Sequence, residues 1–65
     1  KNAVFYLEKA TSILPNSVEI LEHLGDCYFK LGRKKEATYQ WKRATKYEDN
    51  KLIIERISQK IRENE

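Results

Sequence analysis

The sequence predicts an all-α fold built from helical hairpins. Three observations predict it. Apolar residues recur at helical rather than alternating spacing, small residues stand at regular intervals among large ones, and the chain matches itself when slid by 34 residues. Strand signals are poor: no run alternates cleanly, and no Asn-Gly or Asp-Gly pair is present to close a β-hairpin.

The elements follow in order. Ala3, Leu7, Ala10 and Leu14 step by four, three and four, which marks the inward face of a first helix. Pro15 and Asn16 end it. Asn16 is expected to cap the second helix, with Glu19 three residues on as its capping-box partner. Ile20, Leu21, Leu24, Cys27, Tyr28 and Leu31 form a wide apolar stripe on that helix, and Gly32 suits a left-handed helix end. A third helix carries Ala37, Trp41 and Ala44. Its start is weakly signalled, because Arg33 is a poor cap and Lys34 and Lys35 oppose the helix dipole. Glu48, Asp49 and Asn50 break the pattern, and Asn50 can cap a fourth helix. Ile54, Ile57 and Ile61 line that helix, with Lys60, Arg62 and Glu63 around them.

The self-match is the strongest signal. Ala3–Thr11 (AVFYLEKAT) falls on Ala37–Thr45 (ATYQWKRAT), so that Ala3 meets Ala37, Leu7 meets Trp41 and Ala10 meets Ala44. Asn16 likewise meets Asn50 and Ile20 meets Ile54. A period of this length made of two helices explains the placing of the small residues. Gly25 and Ala37 let paired helices approach closely, while Leu24, Tyr28 and Trp41 fill the space beside them.

With 65 residues the chain allows one small domain, and a fold of this size buries only about 60% of the surface its unfolded chain exposes. One cysteine, Cys27, cannot form an internal disulfide. With His23 as the single histidine, the ligand set of a structural zinc site is missing. No signal-peptide pattern and no apolar run long enough for a membrane helix is present. The start at Lys1, without Met, leads to the expectation of a piece of a longer protein, so compartment is left open. A net charge of +3 with 35% charged residues describes a solvated helical surface, too mild to argue for nucleic acid by itself.

At these residues the chain resembles the tetratricopeptide repeat family. Leu24-Gly25, Tyr28, Ala37 and Ala44 match its signature slots, Leu21 takes the usual Trp slot and Trp41 the usual aromatic slot. The upstream half keeps Ala3, Ala10 and the closing Pro15, while Asp49 replaces that proline in the full repeat. The resemblance implies a TPR-like helical-hairpin solenoid end in a single domain. Residues 1–15 would be the second helix of a preceding repeat, 16–49 a full repeat, and 50–65 a capping helix. The block from His23 to Ala44 looks most like the last repeat of a bacterial protein of this family. The fourth helix departs from the pattern: Ser58, Gln59 and Arg62 stand where Leu24, Gly25 and Tyr28 would recur. A further helix is therefore not expected to dock there, and a polar end suits a solenoid cap.

Candidate chemistry is sparse. Cys27, on the apolar stripe beside Asp26, reads as a small buried hydrophobe rather than a nucleophile. His23 reads as a surface residue without catalytic partners. The chain is read as non-catalytic, with no metal and no cofactor. Lys30, Arg33, Lys34, Lys35, Lys42, Arg43 and Lys46 read as a solvated outer face, and nucleic-acid binding ranks last among the functions. Glu19, Glu22, Asp26, Phe29 and Arg33 step by three, four, three and four along one face of the second helix. In the resembled family that face lines a peptide groove. Here Glu22 and Asp26 would favour a basic segment, with Phe29 as its anchor. The expected function is a protein–protein interaction or scaffold module that holds a protein or peptide partner, or neighbouring repeats. The alternative is a purely structural end-cap of a repeat array. Phe5, Tyr6 and Ile13 add apolar surface outside the inward stripe of the first helix, so the fragment is expected to self-associate weakly.

Overall fold

The computed structural model describes residues 2–64, which form four helices: α1 (Asn2–Ile13), α2 (Val18–Lys30), α3 (Lys34–Tyr47) and α4 (Lys51–Asn64). No strand occurs among them. Lys1 and Glu65, the outer ends of the first and last expected segments, lie outside the described residues. Each helix packs on the next, α1 on α2, α2 on α3 and α3 on α4, and the α2–α3 interface is the most extensive. The result is a slab with principal extents of 30 × 25 × 13 Å.

The caps follow local chemistry. The cap of α2 is Ser17, one residue later than the expected Asn16. Ser17 is extended (φ −77°, ψ 111°), and its hydroxyl accepts from the Ile20 amide at 3.4 Å. Asn16 belongs to the turn instead, where the Ser17 amide donates to the Leu14 carbonyl at 3.3 Å. The shift places Ile20, which has no carboxylate, at the capping-box position, so Glu19 forms no box. At the other end of α2, Gly32 takes φ +79°. Its amide donates to the Phe29 carbonyl at 3.0 Å, and the Arg33 amide donates to the Tyr28 carbonyl at 2.9 Å. This is a full Schellman closure, which needs a residue tolerant of the left-handed region.

α3 starts without a side-chain cap, and Arg33 pairs with Glu36 one turn inside instead. At α4, Asn50 Oδ1 accepts from the Leu52 amide at 2.9 Å, and Glu48 Oε2 accepts from the Asn50 amide at 3.0 Å. Two orphan donors are thereby satisfied.

The core is one cluster: Val4, Leu21, Leu24, Tyr28, Ala37, Trp41, Ala44 and Ile57. Its centre is the crossing of α2 over α3. A Cβ placed on Gly25 would come within 2.5 Å of Trp41 Cδ1 and 3.1 Å of the Ala37 carbonyl oxygen. The hydrogen atom of glycine is thus what allows the Trp41 indole to lie against the α2 backbone. Cys27 is half-buried at the edge of this cluster.

α1 differs from its expected orientation. Ala3 and Leu14 are exposed, and Val4, Leu7 and Thr11 form the face turned toward α2. The cause is a pair of bridges between α1 and α2. Val4 enters the core, and the Tyr28 hydroxyl donates to the Glu8 carboxylate. Both residues lie on the Val4 side of the helix. Leu31 is likewise half exposed, because it follows the last turn of α2 and caps that helix rather than packing under it.

Candidate functional site

The stripe Glu19, Glu22, Asp26, Phe29 and Arg33 does not stay together as one open surface. Helical spacing puts Glu22 and Asp26 one turn apart on α2, and α4 lies beside them. Arg56 Nη2 stands 2.6 Å and Lys60 Nζ 2.8 Å from the Glu22 carboxylate. Lys60 also reaches Asp26 Oδ1 at 3.0 Å, an oxygen that accepts as well from Trp41 Nε1 at 3.1 Å. The negative charges assigned to a basic ligand are therefore met from within the chain. Burial alone would raise the Glu22 carboxyl, but the hydrogen bonds and charges of Lys60 and Arg56 outweigh it and hold the group below its ordinary value. Desolvation would likewise lower Lys60, and Glu22 and Asp26 outweigh it, so that its ammonium is held above the usual range.

The other members of the stripe go elsewhere. Glu19 is exposed, at the rim of the cleft that runs between α2 and α4 beside Glu22 and Arg56. Arg33 lies past the end of α2, its guanidinium 4.6 Å over the Tyr28 ring and paired with Glu36. Tyr28 is buried under it. That burial, together with the bond to Glu8, pushes the phenol up to about 12.

Phe29 is the exception. It is 45% exposed, with its ring centroid 5.9 Å from that of Trp41. The two rings line a cleft of about 320 Å³, where α2, α3 and α4 meet. Asp26, Lys60 and Glu63 stand on its rim, and Lys60 Nζ lies 6.0 Å from the Trp41 ring centroid. An apolar floor with charges of both signs around it can take an apolar or aromatic side chain next to a charged one. No nucleophile with an adjacent base lines it. His23 is exposed and lies at the other cleft. Among the described residues no group of His, Cys, Asp and Glu is arranged to hold a metal ion, and no helix is long and apolar enough to cross a membrane.

The signature residues converge. Leu21, Leu24, Gly25, Tyr28, Ala37, Trp41 and Ala44 are all buried at the α2–α3 interface or beside it. Sequence reasoning missed Arg56 and Lys60 as partners of the acidic stripe. The signal was present in the 34-residue register, which sets Arg56 opposite Glu22 and Lys60 opposite Asp26 with reversed charge.

A second surface lies on α1. Ala3, Tyr6 and Ile13 are exposed and Ala10 is half-buried, at steps of three, four and three along one side. Leu14 extends this side just past the helix end. These residues form an apolar face beside the one turned toward α2. Phe5 lies next to it, edge-on to Tyr6 at 5.7 Å between centroids. No protein-family model, no curated protein and no solved structure matches the chain significantly.

Proposed function

We propose that the chain is a non-catalytic protein–protein interaction module of the tetratricopeptide-like helical-hairpin kind. In this reading it comprises a half repeat, a full repeat and a closing helix, and its role is to hold neighbouring helices and a peptide in a fixed relation. The observation that carries the reading is the contrast between equivalent positions. Ala37, Trp41 and Ala44 of α3 are all buried, whereas Ala3, their counterpart on α1, is exposed, and Leu7 and Ala10 are only half-buried. The apolar side of α1 is therefore suited to an amphipathic helix placed on α1 as α2 is placed on α3. The Phe29–Trp41 cleft supplies the place for a peptide side chain.

Sedimentation over a micromolar to millimolar range tests the first surface. With the apolar side of α1 uncovered, the chain should self-associate weakly through it. Tyr6→Glu with Ile13→Glu, both exposed positions, should abolish this without lowering the melting temperature. A strict monomer at the highest concentration counts against the reading.

The second reading is a structural end-cap with no ligand of its own. It is favoured by the outer face of α4, where Gln59 bonds Glu63 at 2.9 Å and Arg62 bonds Glu55 at 2.9 Å, leaving side chains already satisfied toward solvent. A charge-varied peptide library separates the two. If Phe29→Ala leaves the binding of every peptide unchanged, the end-cap reading stands.

A further inference from the structure

The outer face of α3 is basic and its charge is not answered within the fold. Lys35, Tyr39, Lys42 and Lys46 step by four, three and four, so they form one row along the helix. All four are exposed, Tyr39 at 60%. Arg43 flanks the row, with its guanidinium 5.8 Å from the Tyr39 ring centroid and one nitrogen donating to the Pro15 carbonyl at 2.8 Å. Among the described residues no carboxylate forms an ion pair with Lys35, Lys42, Arg43 or Lys46.

Elsewhere several cations are paired within the fold. The carboxylates Glu22 and Asp26 of α2 are met by Arg56 and Lys60 of α4, Arg33 by Glu36, and Arg62 by Glu55. Lys35, Lys42 and Lys46 gather three positive charges on one row, which stands on the opposite side of α3 from buried Ala37, Trp41 and Ala44.

We propose that this row is a docking surface for an acidic protein segment about three helical turns long. The lysines from 35 to 46 span about 16 Å of axis at 1.5 Å per residue. An acidic helix or strand laid along them would set carboxylates against Lys35, Lys42 and Lys46 and an apolar side chain against the Tyr39 ring, whose neighbouring Arg43 adds a further cation. The row is bounded at its C-terminal end by Glu48 and Asp49, which follow α3 directly. A finite acidic segment can stop before them. A duplex, with a phosphate charge every ~1.7 Å of axis, would run its backbone past them. This surface is independent of α1 and of the Phe29 cleft.

The test is binding of a labelled 14-residue peptide with glutamates spaced to meet the three lysines and one leucine to meet Tyr39. The partner is the full chain, mapped by amide chemical-shift perturbation. Shifts confined to the exposed side of residues 35–46 are expected. The Gln-for-Glu peptide should not bind, and binding should fade as salt rises from about 0.05 to about 0.5 M. Lys35→Gln with Lys42→Gln and Lys46→Gln should cost roughly tenfold in affinity, the size expected for three exposed ion pairs removed together. These exposed changes should leave the melting temperature in place, and Tyr39→Ala should weaken binding without changing its salt dependence. No shifts at millimolar peptide would overturn the proposal. So would shifts centred on another face, or tighter binding of a 12-base-pair duplex or of phosphatidylserine vesicles than of the peptide.

Discussion

α1 and α3 carry the same pattern and meet different surroundings. Slid by 34 residues, Ala3 falls on Ala37, Leu7 on Trp41 and Ala10 on Ala44. On α3 all three positions are buried, and that helix packs on both α2 and α4. On α1 the first is exposed and the others are half-buried, because the extensive contact of α1 is with α2. A pattern of small and large residues therefore describes what a helix can bury. What it does bury depends on how many neighbours are there to cover it. The comparison also explains why the face of α1 turned toward α2 is set by Val4, Leu7 and Thr11 rather than by the Ala3 side: with one partner, the helix is oriented by the contacts that partner offers.

The largest expected effect comes from the aromatic position of that pattern. Trp41→Ala should cost about 3–5 kcal/mol, as for a buried large side chain. That is of the order of the whole stability of a chain this size at roughly 0.05–0.15 kcal/mol per residue. Leu7→Ala, its counterpart, should cost about 1 kcal/mol, since only part of the side chain is covered. Urea unfolding of the two variants measures the difference, and equal losses would break the comparison.

Overpacking gives the next effect. Gly25→Leu and Ala37→Leu force atoms into the α2–α3 crossing, where Trp41 Cδ1 already lies 2.5 Å from a Cβ built on Gly25. Each should cost about 1–3 kcal/mol or somewhat more. Ala3→Leu should change stability by less than about 0.5 kcal/mol in this chain, as for a surface site. Melting temperatures unchanged in both Gly25→Leu and Ala37→Leu would remove the basis for the close crossing. A large drop for Ala3→Leu would mean that α1 is covered in solution.

The smallest effect concerns the ion pairs that help hold α4 beside α2. Lys60→Met removes a partner from both Glu22 and Asp26 and should cost about 1 kcal/mol, reduced by partial exposure. Because Glu22 titrates lower in the folded chain than its unfolded value of 4.5, its contribution is complete above that value and is lost as pH falls through the folded one. Tyr28 titrates higher when folded, at about 12 against 10.0, so its contribution is complete below pH 10 and is lost as pH rises toward 12. Unfolding curves across pH should show both limbs. Lys60→Met should move the acid limb upward and leave the Tyr28 limb where it is. An acid limb indifferent to Lys60 would show that Glu22 is not held by it.

Most of the helical architecture was legible because helix signals are local. Gly32 marked the end of α2 and Asn50 the start of α4, each from its own side-chain chemistry. The α2 cap was misplaced by one residue because Asn16 and Ser17 are both good caps, and the choice rests on where the turn after Pro15 closes. The stripe on α2 was legible as a row of residues, while its ion pairs to α4 were not. Its chemistry depends on α4, and a face read one helix at a time carries no information about what lies on it. The charge reversal between Glu22 and Arg56 and between Asp26 and Lys60 was in the sequence throughout, but it acquires meaning only once the two helices are known to lie side by side.

By itself the sequence determined the four helices, the ends marked by Gly32 and Asn50, and the small residues at which two of them must cross. These are set by side-chain volume, backbone freedom and capping groups within a few positions of one another. Tertiary structure decided which carboxylates are spent inside the fold and which cations remain outside it. It also left the Ala3 side of α1 open while the equivalent side of α3 is covered, and made Phe29 and Trp41 share a cleft. Those outcomes depend on distances between residues about twelve to thirty-eight positions apart. Burial and Coulomb energies act over a few ångströms of space, whatever the separation along the chain.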